Sequence, residues 1–452
     1  MPVPTINTLP LISHASLDQA LAWQDNKLIT VEKFLGDVAR LAELLPPGQH
    51  ILNVCRDRYR FSVGLAAAIT TGKASLLPPT LTPKMVQQLK SFSADVFCLH
   101  DAEQCDIALP QLRFPDLPDS YSGSGEIPQI NSHQCVAVVF TSGSTATPLP
   151  HAKTWGSLVR NVRAQAARLG LKNNAAHVIV GTVPPQHMYG FESTVLLPMQ
   201  SGNALCSAQP FYAADICDTL EAISAPRVLV STPLHLRLLL QAGLQLPPVE
   251  LVLSATAPLS LPLARSVEKA FAAPLLEIYG STETGQTATR RSTQTLEWQL
   301  FPDVRFIQRG KETWAEGGHV EHPIALNDKI ELIAADLFLL HGRLQDIVNI
   351  AGKRSSLANL NHHLTSIDGV VDGAFFMPNE TSHDHVTRLS ACVVAPGLNA
   401  QNILEALRER IDPVFLPRPL LFVDALPRNS TGKLPRETLK QFIEDHINRE
   451  VA

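Results

Sequence analysis

The sequence predicts an α/β fold of several structural units built on mostly parallel sheet. Two patterns carry this. Short apolar strands alternate with helical spacings from early in the chain, and strands joined that way lie parallel with helices on both faces. Several strands then empty into small hydroxyl and glycine residues, where α/β proteins collect ligands. A length of 452 residues, 45% of them hydrophobic, exceeds one core and supports two to four units.

Thr30 caps a helix in which Val31, Phe34, Leu35, Val38, Leu41, Ala42 and Leu45 recur at helical spacing, ended by Pro46-Pro47-Gly48. Ile51 to Cys55 reads as a buried strand, Asp57 to Thr71 as a helix closed by Gly72, and Ala74 to Leu77 as the next strand. A helix from Met85 to Phe92 leads to a strand from Val96 to Leu99. The segment from Pro110 to Gln134, rich in Pro, Ser and Gly, is expected to be a surface connection. Val138-Val139-Phe140 then runs into Thr141-Ser142-Gly143-Ser144-Thr145, and a helix is expected from Lys153 to about Leu169. That puts the Ser/Thr loop at a strand-to-helix turn. Later strands are His177 to Val180, Arg227 to Ser231, Glu250 to Ser254, Leu276 into Tyr279, Ile330 to Ala334, and Leu337 into Arg343.

A net charge of −5 without a long Lys/Arg run argues against nucleic acid or an anionic membrane as main partner. The seven cysteines, scattered from Cys55 to Cys392 with no Cys-x-x-Cys, fit neither a disulfide framework nor a zinc site, so reduced thiols and a cytoplasmic location are expected. Met1-Pro2-Val3-Pro4 shows no basic segment followed by an apolar core, and no apolar run approaches the roughly 20 residues of a membrane helix, so neither export nor anchoring is expected.

The chemistry concentrates in a few stretches. The Thr141 to Thr145 loop can turn its amides and hydroxyls onto a polyphosphate, with Gly143 as the permissive residue. A Ser/Thr-rich surface turn is the equal alternative. In Leu276-Glu277-Ile278-Tyr279-Gly280-Ser281-Thr282-Glu283, Tyr279 can stack a base and Glu283 can hold Mg²⁺, while a simple capped turn explains the same residues. His187, taken alone, reads more readily as a core histidine or a helix cap than as a ligand group. Asp328 and Arg343 read equally as a surface pair. Gly432-Lys433 mimics the end of a P-loop, but Pro427 stands where that motif needs glycine.

Together these stretches resemble the adenylate-forming superfamily of acyl- and aryl-CoA synthetases, acyl-carrier-protein ligases and adenylation domains. The matching segments run in order from the Thr141 loop through His187-Met188-Tyr189-Gly190, Tyr279 to Glu283, Gly342-Arg343, and Pro427-Arg428-Asn429-Ser430-Thr431-Gly432-Lys433. Asp328 lies fourteen residues before Gly342, where the family places a ribose-binding aspartate. The resemblance implies a large AMP-binding domain, residues 1–342, and a small mobile α+β lid, 343–452. It implies ATP and Mg²⁺ as cofactors, with Thr141, Ser142, Ser144 and Thr145 on the phosphates, Tyr279 against the adenine, and Gly143, Gly280 and Ser281 also in the ATP/AMP site. By the same resemblance Thr282 lies near the α-phosphate, Glu283 on Mg²⁺, Asp328 on the ribose, Arg343 on ribose or phosphate, and Lys433 at the reacting carboxylate. The substrate pocket would use His187, Tyr189, Phe191, Ser231 and Ala255.

Some positions depart from the family. Ala146 and Leu149 replace the usual Gly and Lys of the phosphate loop, leaving one cation missing unless Lys153 supplies it. The hinge aspartate aligns with Gln345, with Asp346 next, and Asn349 replaces a following Lys. The chain looks most like the compact hydroxybenzoate-activating ligases of bacterial aryl polyene and xanthomonadin pigment pathways. The expected reaction is adenylation of 3- or 4-hydroxybenzoate and transfer to the phosphopantetheine thiol of an acyl carrier protein. Arg418, Arg428, Arg436 and Lys440 would form the docking cations. The alternatives are a medium-chain acyl- or aryl-CoA synthetase using free coenzyme A, and a non-catalytic nucleotide-binding relative.

Overall fold

The structure is a computed structural model that describes residues 7–117, 125–141, 149–171, 177–224, 226–343, 347–350, 353–377, 389–429, 432 and 434–451. The side chains of residues 343, 347, 349, 354, 436, 437 and 447–451 lie outside that set.

Alternation within single strands decides where the layers form. In Arg227–Ser231, Val228 and Val230 join the main core while Leu229 joins a second core on the opposite face. A strand apolar on both faces needs helices on both sides. It lies mid-sheet, in an eleven-stranded sheet whose parallel run is ordered Leu275–Ser281, Leu251–Ser254, Arg227–Ser231, Val178–Gly181, Ala204–Cys206 and Ala20–Gln24. Helices Ala213–Ala222, Pro233–Gln241 and Leu261–Phe271 cover one face.

A six-stranded sheet is ordered Leu149–Thr154, Cys135–Thr141, Ala74–Leu77, His50–Asn53, Phe97–His100 and Gln111–Arg113, parallel except for the first strand. Helices Val31–Leu44, Arg58–Thr70 and Trp155–Arg168 share one core with both sheets, and Pro83–Phe92 packs on the smaller sheet's other face. The large domain is layered α/β. Arg58, fully buried, ties the layers: Nη1 donates to the carbonyls of Cys206 (3.0 Å) and Ala208 (2.6 Å), and Nη2 to those of Gly181 and Val183 (both 3.0 Å).

Two expected elements change. Leu149–Thr154 is a strand, antiparallel to Cys135–Thr141 with Leu149 opposite Thr141, so residues 142–148 join two strands rather than a strand and a helix. Pro150 disguised it, since proline lacks the amide a central strand needs; this strand is the sheet's edge, where proline is tolerated. The helix begins at Trp155, capped by Thr154, whose hydroxyl accepts from the Ser157 amide at 3.1 Å. The supposed connection from Pro110 to Gln134 also supplies two short strands, Gln111–Arg113 and Gln129–Asn131.

A small C-terminal domain follows the Leu337–Arg343 strand. Its sheet of Asp372–Phe376, Ser390–Val394 and Leu420–Phe422 carries helices Leu357–Thr365 and Ala400–Arg408 on one face and Arg436–Val451 on the other. Alternation again sets the layers, with Ala391 and Val393 in one cluster and Cys392 in the other. All seven cysteines are unpaired. Among the described residues no helix is long and apolar enough to cross a membrane.

Candidate active site

The carboxyl ends of the parallel strands meet at one edge of the large sheet. Thr182, just past Val178–Gly181, and Ser231 face each other hydroxyl to hydroxyl at 3.0 Å, and Ser231 lies opposite Ser254 in the next strand. Ser254 Oγ is buried without a hydrogen-bond partner among the described residues, and half-buried Ala255 follows it. The loop after Thr182 carries His187, half-buried ahead of the short turn Met188–Gly190. Gly190 is required there, because a Cβ would lie 2.1 Å from the Pro184 carbonyl. The Tyr189 hydroxyl is buried with no partner among the described residues, and burial pushes its pKa up. Phe191 has no exposure and stands in the main core.

In the strand next to Leu251–Ser254, Tyr279 donates its hydroxyl to Asp328 Oδ2 at 2.7 Å, and its ring packs among Trp298, Phe306 and Phe338. Asp328 is the cross-strand neighbour of Arg343, whose side chain lies outside the described residues. The Ser281 to Thr284 turn is locked by its own side chains: Ser281 N donates to Thr284 Oγ1 and Thr284 N to Ser281 Oγ, both at 3.2 Å. Gly280 is needed beside it, since a Cβ would meet the Gly285 carbonyl at 2.3 Å. The turn presents Thr282 and a partly exposed Glu283.

The edge strand brings His151 and Lys153 to this turn. His151 Nε2 lies 3.1 Å from Thr141 Oγ1 and 3.9 Å from Glu283 Oε1; burial lowers its pKa while Glu283 raises it. Lys153 Nζ donates to the Glu283 carbonyl at 2.9 Å and is only 7% exposed. Lys153 is therefore held within the fold, its ammonium also drawn to the buried Glu192. Burial pushes the Glu192 carboxyl up, opposed first by Lys153. His151 and Glu192 were missed from the sequence. A lone carboxylate between Tyr189-Gly190-Phe191 and the apolar Val195-Leu196-Leu197 was the available signal for Glu192.

Thr141, Tyr279, Gly280, Ser281, Thr282, Glu283 and Asp328 thus gather about the end of the Leu275–Ser281 strand, and Tyr189, Ser231 and Ala255 follow the ends of the neighbouring strands. Ser142, Gly143, Ser144, Thr145, Gln345, Asp346 and Lys433 lie outside the described residues. Gly432 is described, and it rests just past the Ser231 strand end: its position for a Cβ is 3.4 Å from Leu234 Cβ and 3.7 Å from Thr232 Oγ1. Of the expected docking cations, Arg428 is committed to Asp372 at 2.7 Å, whereas Arg418 and Lys440 are exposed. Among the described residues no three His, Cys, Asp or Glu side chains cluster as a metal cage. A single partly exposed carboxylate at Glu283 fits Mg²⁺, which takes one or two protein carboxylates and completes its shell with phosphate and water.

Comparison with known proteins converges on one family. A family profile described as AMP-binding enzyme matches residues 20–325. A 4-coumarate–CoA ligase of Rhodobacter capsulatus is 30% identical over 307 residues, spanning 67% of this chain and 75% of that protein. ATP-bound MatB from Rhodopseudomonas palustris superposes with a TM-score of 0.80 at 16% identity, over 96% of this chain and 97% of that one. The o-succinylbenzoate coenzyme A synthetase MenE of Bacillus subtilis, in complex with AMP, gives 0.79 at 17% identity, over 96% and 98%. These two structures share the fold. With a profile spanning most of the large domain, and motif segments that meet at one sheet edge, the chain belongs to the AMP-binding enzyme family and is an AMP-forming acid–thiol ligase.

Proposed function

We propose that this ligase adenylates an aromatic carboxylic acid of the hydroxybenzoate kind and passes the acyl group to a phosphopantetheine thiol, that of an acyl carrier protein. The observation that carries the reading is the meeting of separate segments at one edge. The Tyr279 to Glu283 turn, the Ser231 and Ser254 strand ends, and Gly432 of the C-terminal domain all line it.

Tyr279 and Asp328 hold the adenosine, and the Thr141 to Thr145 loop holds the phosphates, with Thr282 near the α-phosphate. Glu283 holds Mg²⁺, which when bound neutralises phosphate charge. The acid lies against Tyr189, Ser231 and Ala255 beside His187. Its carboxylate oxygen attacks the α-phosphorus, the bond to the β-phosphate oxygen breaks, and pyrophosphate leaves. Two anions must approach, so Lys433 is assigned to the carboxylate and α-phosphate, where fixed positive charge lowers the barrier. In the second step the thiol sulfur attacks the acyl carbon and AMP departs.

Two features support an aromatic hydroxy acid. The buried Tyr189 and Ser254 hydroxyls have no partner among the described residues, and a ring hydroxyl reaching either would complete its bonding. Relatives such as the Rhodobacter capsulatus protein are named for aromatic acids. The carrier reading now leans on the exposed Arg418 and Lys440. Free coenzyme A is the second reading, favoured by the names of the relatives.

The test is pyrophosphate release with 3-hydroxybenzoate, 4-hydroxybenzoate and octanoate, followed by offering coenzyme A and holo-carrier. Greater release with octanoate would reverse the acid assignment. Efficient aryl-CoA synthesis with no carrier acylation would reverse the acceptor.

A further inference from the structure

Lys433 serves adenylation only if the C-terminal domain docks with Gly432 at the substrate end, and the structure shows what holds that docking. Helix Pro233–Gln241 begins at the substrate edge, capped by the Thr232 hydroxyl. Its residues Pro233, Leu236 and Leu239 face the large domain's interior. Leu234 and Arg237, one turn apart, face the other domain. Leu234 lies under Gly432, and the Arg237 guanidinium donates to the Val371 carbonyl.

The next residue completes a chain of contacts. Asp372, 8% exposed, accepts two bonds from Arg428, Nε to Oδ2 at 2.7 Å and Nη2 to Oδ1 at 2.8 Å. Arg428 in turn donates Nη1 to the Gly432 carbonyl at 2.9 Å. The glycine sits at φ +75°, a conformation other residues rarely adopt. One path therefore runs from Arg237 through Val371-Asp372 and Arg428 to Gly432. Beside Arg237 the two domains leave a cleft of about 320 Å³, lined by Ser260, Leu263, Ser266 and the Thr365 to Val370 turn. The docking here depends on polar contacts more than on a shared apolar core.

We propose that Arg237 is a positioning residue: it latches the C-terminal domain so that the Gly432 loop stays at the substrate edge, and thereby favours adenylation over thioester formation. The proposal rests on the reading of Lys433 given above. A bond from a charged donor shifts an equilibrium by roughly 10- to 100-fold, enough to set the population of one domain arrangement. Exposed contacts rarely achieve that, but Arg237 is half-buried, and Asp372, next to its Val371 acceptor, is buried.

The test uses the full chain with Arg237→Ala, Arg237→Lys and Lys433→Ala. Small-angle scattering without ligand should show Arg237→Ala expanded relative to the native protein, with Arg237→Lys closer to native and Lys433→Ala unchanged. Pyrophosphate release, with the best acid of the panel, should fall about tenfold in Arg237→Ala at unchanged KM for ATP. Thioester formation from preformed acyl-adenylate should hold or rise. A native scattering profile for Arg237→Ala, or equal loss of both half-reactions, would overturn the latch. Full adenylation by Lys433→Ala would instead refute the assignment of Lys433, leaving the scattering result to judge Arg237 alone.

Discussion

Replacing Arg58 with Met should remove about 3–5 kcal/mol of stability, because it leaves the buried Cys206, Gly181 and Val183 carbonyls without this donor at roughly 1–3 kcal/mol each, partly offset by the desolvation a buried guanidinium no longer costs. Its guanidinium makes four bonds to main-chain carbonyls of Cys206, Ala208, Gly181 and Val183. At roughly 1.5–3 kcal/mol for each charge-assisted bond the sum would be larger, but desolvation of a fully buried guanidinium offsets much of it. Burial lowers its pKa to about 10, so it remains charged at neutral pH. The loss is a large fraction of the roughly 5–15 kcal/mol that holds a typical domain. Arg58→Lys should recover little, because one ammonium cannot span two carbonyl pairs that a planar fork reaches together. Gly181 and Val183 flank Thr182, so any variant that folds should show a raised KM for the acid with little change for ATP. Urea denaturation followed by circular dichroism measures the first effect. A loss under about 1 kcal/mol for Arg58→Met would show that these carbonyls find other donors and that the reasoning is wrong.

Two further predictions follow from single contacts. Tyr279→Phe removes the 2.7 Å bond that orients Asp328, and should raise KM for ATP about fivefold with kcat nearly unchanged, as steady-state kinetics would show. His319 is 2% exposed and burial lowers its pKa from 6.5 to about 4, so it folds as the neutral ring. Its contribution is complete above pH 6.5 and is lost as pH falls toward 4, on the order of 3 kcal/mol. Melting temperatures measured from pH 7 to pH 4 should therefore fall less steeply in His319→Gln than in the native protein; parallel curves would contradict this.

What the sequence disclosed was local. Strand and helix spacings identified Arg227–Ser231 and Leu337–Arg343 to the residue, and Thr30 and Asp57 cap the helices they were expected to start or border. The motif segments stand out in the sequence because each lies within a short run. What stayed hidden depends on distant partners. Arg58, at the start of a helix, has the look of a solvated residue until carbonyls more than a hundred positions away surround it. Lys153 meets Glu283 and Glu192, and His151 meets Thr141, only because Pro150 occupies an edge strand that its pattern does not announce. Arg428 reads as a surface cation and is instead neutralised by Asp372, fifty-six residues earlier.

The most direct test of the two-step account separates the half-reactions in Lys433→Ala. Adenylation would be followed by acid-dependent pyrophosphate release with MgATP, and thioester formation by supplying preformed hydroxybenzoyl-adenylate with the thiol. The account predicts that pyrophosphate release collapses while thioester formation from the adenylate stays near the native rate. Equal loss of both half-reactions, or adenylation that survives the substitution, would contradict it.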